Sequence, residues 1–567
     1  MSPAGLDVVA VVLVVVGTVG IGVYGLRMAR TTSDFLVASR SVGPLWNASA
    51  IGGEYLSAAS FLGVAGLVMA YGADALWYPV GFVAGYLVLL LVVAAPLRRS
   101  GAYTVPDFAE ARLGSRRVRG ICTVLVVGIG WLYLVPQLQG AGLTLRATTG
   151  APVWVGAVLV ATVVIVNVAG GGMRSATFVQ AFQYWLKLTA LAVPALFLVL
   201  AWRADGSPDL ASPAGPVFRE RTTVEVDARV VIEVTRPVVV VLDGATTTLV
   251  PGERTLREGS TLVFPAGSEV PHVARLEAAT GADWASPLSG AGGTEHPLYS
   301  TYALVLATFL GTMGLPHVLV RFYTNRDGPA ARRTTLVVLA LLSAFYLLPA
   351  LYGALGRLYV PELLLTGRTD AVVLALPGAL LGGTGGQLLE ALLVAGAFAA
   401  FLSTSNGLLV STAGVLVQDV LRGTVRDFRK AAVIAGLVPL ALALPASGLP
   451  VGQVVGLAFA VAASSFCPLL VLGIWWRGLT AAGAAAGLCA GGGLAAAAVL
   501  LTLFGAVDRG WPAALLAQPA AWTVPTAFAV MVGVSLATRA QVPRDVGRTM
   551  LRLHAPEALG LDRPRDA

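Results

Sequence analysis

The sequence is divided into apolar runs about as long as a bilayer is thick, and its charges fall mostly between those runs. About 20 apolar residues in a helix cover the roughly 30 Å of hydrocarbon. Inside lipid each backbone N–H and C=O must be bonded within the segment, so runs of this length are read as helices. They fall near 6–26, 45–71, 74–96, 120–147, 152–169, 178–202, 299–320, 334–355, 387–417, 431–447, 451–475, 479–505 and 520–538. This spacing predicts an all-α polytopic membrane protein of about 13 transmembrane helices. The first run lacks a basic leader and exceeds a signal-peptide core, so it is expected to be retained as a span.

Charge then orients the chain. Arg27, Arg30 and Arg40 follow the first run, Arg98, Arg99, Arg112, Arg116, Arg117 and Arg119 the third, and Arg174 the fifth. Arg321, Arg326, Arg332 and Arg333 follow the seventh, Arg422, Arg426, Arg429 and Lys430 the ninth, Arg477 the eleventh, and a basic tail 539–567 the last. Basic loops mark the cytoplasmic side. The N-terminus is therefore expected outside and the tail in the cytoplasm, with the lipid bilayer of the cell membrane between them. The net charge of +8 is explained by these loops, so a nucleic-acid partner is discounted. Cys122, Cys467 and Cys489 all lie in predicted spans without metal-type spacing, so no disulfide framework or zinc cluster is expected.

One insertion, 203–298, interrupts the pattern between the blocks 1–202 and 299–538. RVVIEVTRPVVVVLDG and TTTLVPGERTLREGSTLVF alternate β-branched and polar residues between Asp-Gly, Pro-Gly and Glu-Gly turns. This predicts a small β-rich extracytoplasmic domain. A regulatory or ligand-capturing role and a decorated loop with no such role both stay open.

The second run, PLWNASAIGGEYLSAASFLGVAGLVMAYG, carries Asn47, Ser49, Gly52-Gly53, Glu54, Tyr55, Ser57 and Ser60 at membrane depth. Intramembrane polar groups mark cavities and substrate paths, and paired glycines allow a break there. The seventh run holds Thr308, Gly311, Thr312, Gly314 and Pro316, which predicts a second break. These runs lie five apart in opposite orientation. Interrupted helices at corresponding positions of inverted repeats point to a secondary transporter's midplane site, with runs two to six and seven to eleven as the repeats. In the ninth run Ala400, Ser403 and Thr404 share one helix face. Their oxygens, with carbonyls freed near Gly53 and Leu56, would converge on a small hard cation such as sodium. Ser and Thr in membrane helices also back-bond to the preceding turn, so this signal depends on the broken helices. Gln137 and Gln139 beside Pro136 face either the cavity or a neighbouring helix, and His317 either orients a helix end or relays protons.

The segments SDFLVASRSVGPLWNASAIGGEYLSAASFLGVAGL, YTVPDFAEARLGS, GTMGLPHVLVRFYT and VGLAFAVAASSFCPLLVLGIWW resemble the sodium:solute symporters, and within them the cation/acetate or monocarboxylate symporters. The resemblance covers nearly the whole chain outside the insertion. It implies a leucine-transporter-type inverted five-plus-five fold of thirteen spans. It places sodium ligands on Gly53, Leu56, Ala400, Ser403 and Thr404, and substrate contacts near Tyr55, Ala59 and Ser60. Glu54, Ser57, Gln137, Thr308 and Thr312 complete the substrate candidates. Two departures stand out: Gln180 where many relatives carry Asp, and Glu54 where acetate-type relatives carry GDY. The expected function is import of acetate or a related monocarboxylate by sodium symport, without catalysis and without a cofactor besides the coupling ion. A proton in place of sodium, another small solute, and a transporter-like sensor are the alternatives.

Overall fold

The computed structural model describes residues 3–26, 38, 42–210, 216–226, 230–273, 281–288, 296–366, 368–421, 424–444, 451–504, 507, 510–556 and 559. Arg27, Arg30, Arg40 and Arg422, used above for topology, and the end of the tenth run lie outside them.

Among the described residues nine helices are long and apolar enough to cross a membrane, or ten if one bent pair counts as a single span. Two of the nine continuous helical stretches contain more than one predicted run. Ala59–Arg99 turns at Gly72, whose φ of 59° suits glycine. Val153–Ala204 bends at Gly172, with φ 56° and ψ −147°. Most of the tenth run lies in the helix Val425–Ala443, which has a charged first turn that includes Asp427. Bundle packing is tightest around Gly383–Asp419, which lies against Val153–Ala204. Its residues from Leu393 to Val415 are buried without interruption.

Both predicted breaks are present. The helix Pro44–Tyr55 ends at Leu56, whose ψ of 81° is non-helical, and the chain resumes through a π-turn Ala59–Gly63 into Val64–Tyr71. The helix Pro297–Gly314 stops at Leu315 in extended conformation, and Pro316–Phe322 continues at an angle of 44°. Pro316 is tolerated as the first residue of that new helix because its missing N–H would be unpaired anyway. Gly311 and Gly314 let this helix approach Val451–Trp475: a Cβ on either would lie 2.5 Å or less from the carbonyl of Phe459 or Ala462.

Between the two helical blocks the chain forms two small antiparallel sheets from β1 (Thr222–Glu225), β2 (Val230–Val234), β3 (Val238–Leu242), β4 (Ala245–Leu249), β5 (Gly252–Leu256), β6 (Thr261–Phe264) and β7 (His272–Val273). The strand orders are β1-β6-β3-β4 and β5-β2-β7. The predicted Asp-Gly turn joins β3 to β4, with Asp243 and Gly244 both at positive φ, which matches the twist of a tight hairpin. Phe218, Ile232, Val240, Leu262 and Phe264 fill its core, and Leu365 from the helix Glu362–Thr366 completes it. Beyond the strands, Trp284 in the short helix Gly281–Ala285 donates its Nε1 hydrogen to the carbonyls of Val68 and Met69, at 2.9 and 3.0 Å. The insertion thus rests on the end of the first broken helix.

Candidate functional site

A break in a membrane helix frees backbone groups that must find partners. At the first break, Gln137 Oε1 accepts from the N–H of Ala58 at 3.2 Å. The freed carbonyls of Gly53 and Leu56 accept from Lys187 Nζ at 2.5 and 2.6 Å, and Ser403 Oγ accepts from the same nitrogen at 3.0 Å. Lys187 comes from Val153–Ala204 and is completely buried. The helices approach closely enough for this because Gly53 has no side chain. A Cβ there would lie 2.1 Å from the carbonyl oxygen of Gln180.

The structure brings the five expected cation ligands together, with a definite division of labour. Gly53, Leu56 and Ser403 face Lys187. Ser403 Oγ donates to the carbonyl of Ala400 at 3.1 Å, and Thr404 Oγ1 donates to the carbonyl of Glu54 at 2.7 Å.

The substrate candidates separate into three groups. Tyr55 joins the two broken helices, its hydroxyl 2.7 Å from Thr312 Oγ1, and its ring packs edge-on against Tyr86 and Phe82. Ser60 Oγ lies 2.8 Å from Tyr346 Oη, while Ser57 and Ala59 are buried beside it on the far side of the break. Gln137 has its Nε2 buried with no hydrogen-bond partner among the described residues, as have Tyr86 Oη and both ring nitrogens of His317. His317 packs against Tyr133, which in turn packs against Phe459.

Thr308 and Glu54 have other partners. The Thr308 hydroxyl bonds back to the carbonyl of Leu304 at 2.9 Å and packs where Gly81 leaves space. The Glu54 carboxylate pairs with Arg321 Nε at 2.6 Å, both side chains essentially free of solvent. Gln180 Nε2 reaches the same carboxylate at 3.4 Å and the carbonyl of Ser403 at 2.8 Å, and Gln180 Oε1 accepts from Arg321. Arg321, counted from sequence as a topogenic loop charge, is instead a buried member of this network. The reason is its place in Pro316–Phe322, the continuation of the second broken helix. Gln139, also weighed as cavity-facing, donates to the carbonyl of Ala443 at 3.4 Å.

Two residues central to this geometry were missed from sequence, Lys187 and the buried role of Arg321. Gln180, Gln183, Tyr184 and Lys187 fall at i, i+3, i+4 and i+7 and are all buried, a polar stripe inside an apolar run. A lone lysine at membrane depth on such a stripe was the available signal.

On one side the network continues to a closed seam. Asn47 Nδ2 donates to Asn325 Oδ1 at 3.1 Å, Thr334 donates to the same oxygen at 2.7 Å, and Arg98 Nε donates to the carbonyl of Asn325 at 2.5 Å. On the other side a cavity of about 60 Å³ opens beside Ala58, Gly140 and Phe401, with Arg368 and Asp370 in its lining.

The model of the sodium:solute symporter family matches residues 35–207 and 268–491. The stretch it skips contains β1 to β6. An uncharacterised symporter of Bacillus subtilis, YwcA, is 29% identical over 538 residues, covering 91% of each chain. An uncharacterised symporter of Cupriavidus necator is 29% identical over 621 residues, covering 90% of this chain and 88% of its own. Among solved structures, a Na⁺-coupled sialic acid symporter in a substrate-bound outward-open state superposes with a TM-score of 0.60 at 13% identity, over 93% of this chain and 98% of that one. Mhp1, a nucleobase-cation-symport-1 family transporter, gives 0.52 at 12% identity, over 91% and 98%. At such identities the likeness is one of fold, the leucine-transporter type that the family resemblance implied.

Proposed function

Because this chain belongs to the sodium:solute symporter family, we propose that it is a secondary active transporter carrying acetate or a related short-chain monocarboxylate by alternating access. Membership supports sodium-coupled symport in a multi-pass membrane protein. The carboxylate assignment goes further and is carried by one observation. Beside the first break, Gln137 Nε2, whose Oε1 holds the Ala58 N–H, and Tyr86 Oη, whose ring packs on Tyr55, are buried hydrogen donors without partners among the described residues. An unpaired buried donor is costly, so such groups favour a small acceptor-rich occupant. A carboxylate has acceptors only and a compact body, which suits an aromatic enclosure of Tyr55, Phe82, Tyr133 and Phe459.

Alternating access follows from the seams. Exchange requires the Asn47–Asn325 contacts to part on one side and the chain around Ala58 on the other, never together. We read the side of Asn325 as cytoplasmic and the β-rich insertion as extracytoplasmic, which keeps the N-terminus outside and the tail within. The Gly53, Leu56, Ala400, Ser403 and Thr404 cluster is where the family resemblance puts the coupling ion.

The test is uptake of labelled acetate and pyruvate into proteoliposomes under a sodium gradient, a pH gradient, or neither. Gradient-driven accumulation of either acid supports the reading. Failure to accumulate both acids under every gradient would remove the monocarboxylate assignment.

A further inference from the structure

We propose that in this chain the oxygen cage between the first broken helix and Gly383–Asp419 is filled by the ammonium of Lys187 and does not admit sodium. The inference rests on taking that cage as the place where the family resemblance puts the coupling ion. Hydrogen counting comes first. The three atoms around Lys187 Nζ are two carbonyl oxygens and a hydroxyl that has already given its own hydrogen to Ala400. All three contacts therefore need a hydrogen from the nitrogen. A neutral amine has two, whereas an ammonium has three. The group in the cage is a monovalent cation with each of its donors matched.

Ligand counting agrees. Of the five oxygens expected around sodium, that of Ala400 accepts from Ser403, and that of Thr404 is bonded to the Glu54 carbonyl. Three of the five, the Gly53 and Leu56 carbonyls and Ser403 Oγ, already accept from the ammonium, so a sodium ion would have to displace it to reach them. A second positive charge cannot share the space, because like charges a few ångström apart repel strongly in a medium that screens them poorly.

The cation is also fixed in place. Lys187 is the last member of the buried stripe that begins at Gln180, and that stripe lies against the glycine pair of the first broken helix. Its side chain spans a contact so close that a Cβ on Gly53 would strike the Gln180 carbonyl, and a Cβ on Gly52 would lie 2.8 Å from the Tyr184 ring. The lysine thus ties Val153–Ala204 to the break and to Ser403 at one point. In a transporter that releases its ion, the corresponding tie would come and go with the ion. Whatever sodium coupling the chain has does not run through these five oxygens.

The experiment measures sodium rather than solute. Binding of labelled sodium to purified protein, and the melting temperature in sodium chloride against choline chloride, are compared for the wild type, Ser403→Ala and Lys187→Met. We expect the wild type to show no sodium signal that Ser403→Ala removes, and Lys187→Met, which vacates the cage, to gain one of at least about tenfold in binding. Sodium binding by the wild type that Ser403→Ala abolishes would overturn the proposal, and this arm decides even if Lys187→Met does not fold. Neither readout requires a transported acid, so a wrong substrate assignment would show as absent uptake with the sodium results unchanged.

Discussion

Glu54 and Arg321 bring their charges together at 2.6 Å, one from each broken helix, with both side chains essentially out of solvent. An ion pair in such a place is stabilised by its geometry and its secondary partners, here Gln180 and Thr177. Removing one charge leaves the other buried and alone, at a cost of about 3–5 kcal/mol. Glu54→Gln and Arg321→Met should each lower the melting temperature of the purified protein markedly. The double substitution should recover most of the loss. Additive losses in the double variant would show that the residues do not act as a pair.

Tyr55 and Thr312 make the second link between these helices. A net hydrogen bond contributes about 1 kcal/mol, which is roughly a fivefold change in an equilibrium. Tyr55→Phe is expected to alter apparent substrate affinity in uptake assays by about that factor, and Thr312→Ser to leave it nearly unchanged. Thr308→Ser should be silent as well, since its hydroxyl serves its own helix.

Gln137 offers an acceptor to Ala58 and an unpaired donor to its surroundings. Gln137→Glu keeps the first and replaces the second with negative charge. If a carboxylate binds there, half-saturation of uptake should rise by tenfold or more, and the lone buried charge should also lower the melting temperature. Unchanged half-saturation would place the anion elsewhere.

The absence of a side chain at Gly53 sets how near the two helices come. Gly53→Ala puts a Cβ 2.1 Å from a backbone oxygen, a clash no rotamer relieves. Loss of monodisperse protein in detergent is expected, whereas Gly20→Ala, with nothing within 4 Å, should behave as wild type.

Where the insertion leaves the helical block, Arg219 and Tyr359 both donate to Asp205 Oδ2, at 2.6 and 2.7 Å. Their hydrogen bonds hold the Asp205 carboxyl below the usual carboxylate range. A depressed folded-state value means the contact stabilises above the ordinary aspartate range and is lost as pH falls through the depressed value. Limited proteolysis of the 203–298 segment should therefore be unchanged between pH 7 and 5, and Asp205→Asn should speed cleavage across that interval.

Much of this architecture was legible from local chemistry. Gly52-Gly53 and Gly314 with Pro316 marked the breaks because backbone cannot be irregular in lipid without a cavity or partner. Asp243-Gly244 marked a hairpin because both positions need positive φ. Ala400, Ser403 and Thr404 marked the facing helix through their spacing. What the sequence hid was partnership across long separations. Arg321 looked like a loop charge because it ends an apolar run, and only the tertiary fold brings it to Glu54, 267 positions earlier. Lys187 lay unnoticed in a run read for length rather than for its polar face. Trp284 carried no local pattern at all, since its partners are two backbone carbonyls.

That tryptophan gives the strand-bearing insertion a mechanical meaning. The chain leaves one repeat, builds the two sheets, and enters the other repeat only after Trp284 has seated on Val68 and Met69. Thirteen positions separate Met69 from the break at Leu56, through the π-turn Ala59–Gly63 and the helix Val64–Tyr71. The indole therefore pins the far end of the first broken helix to the segment that carries the sheets.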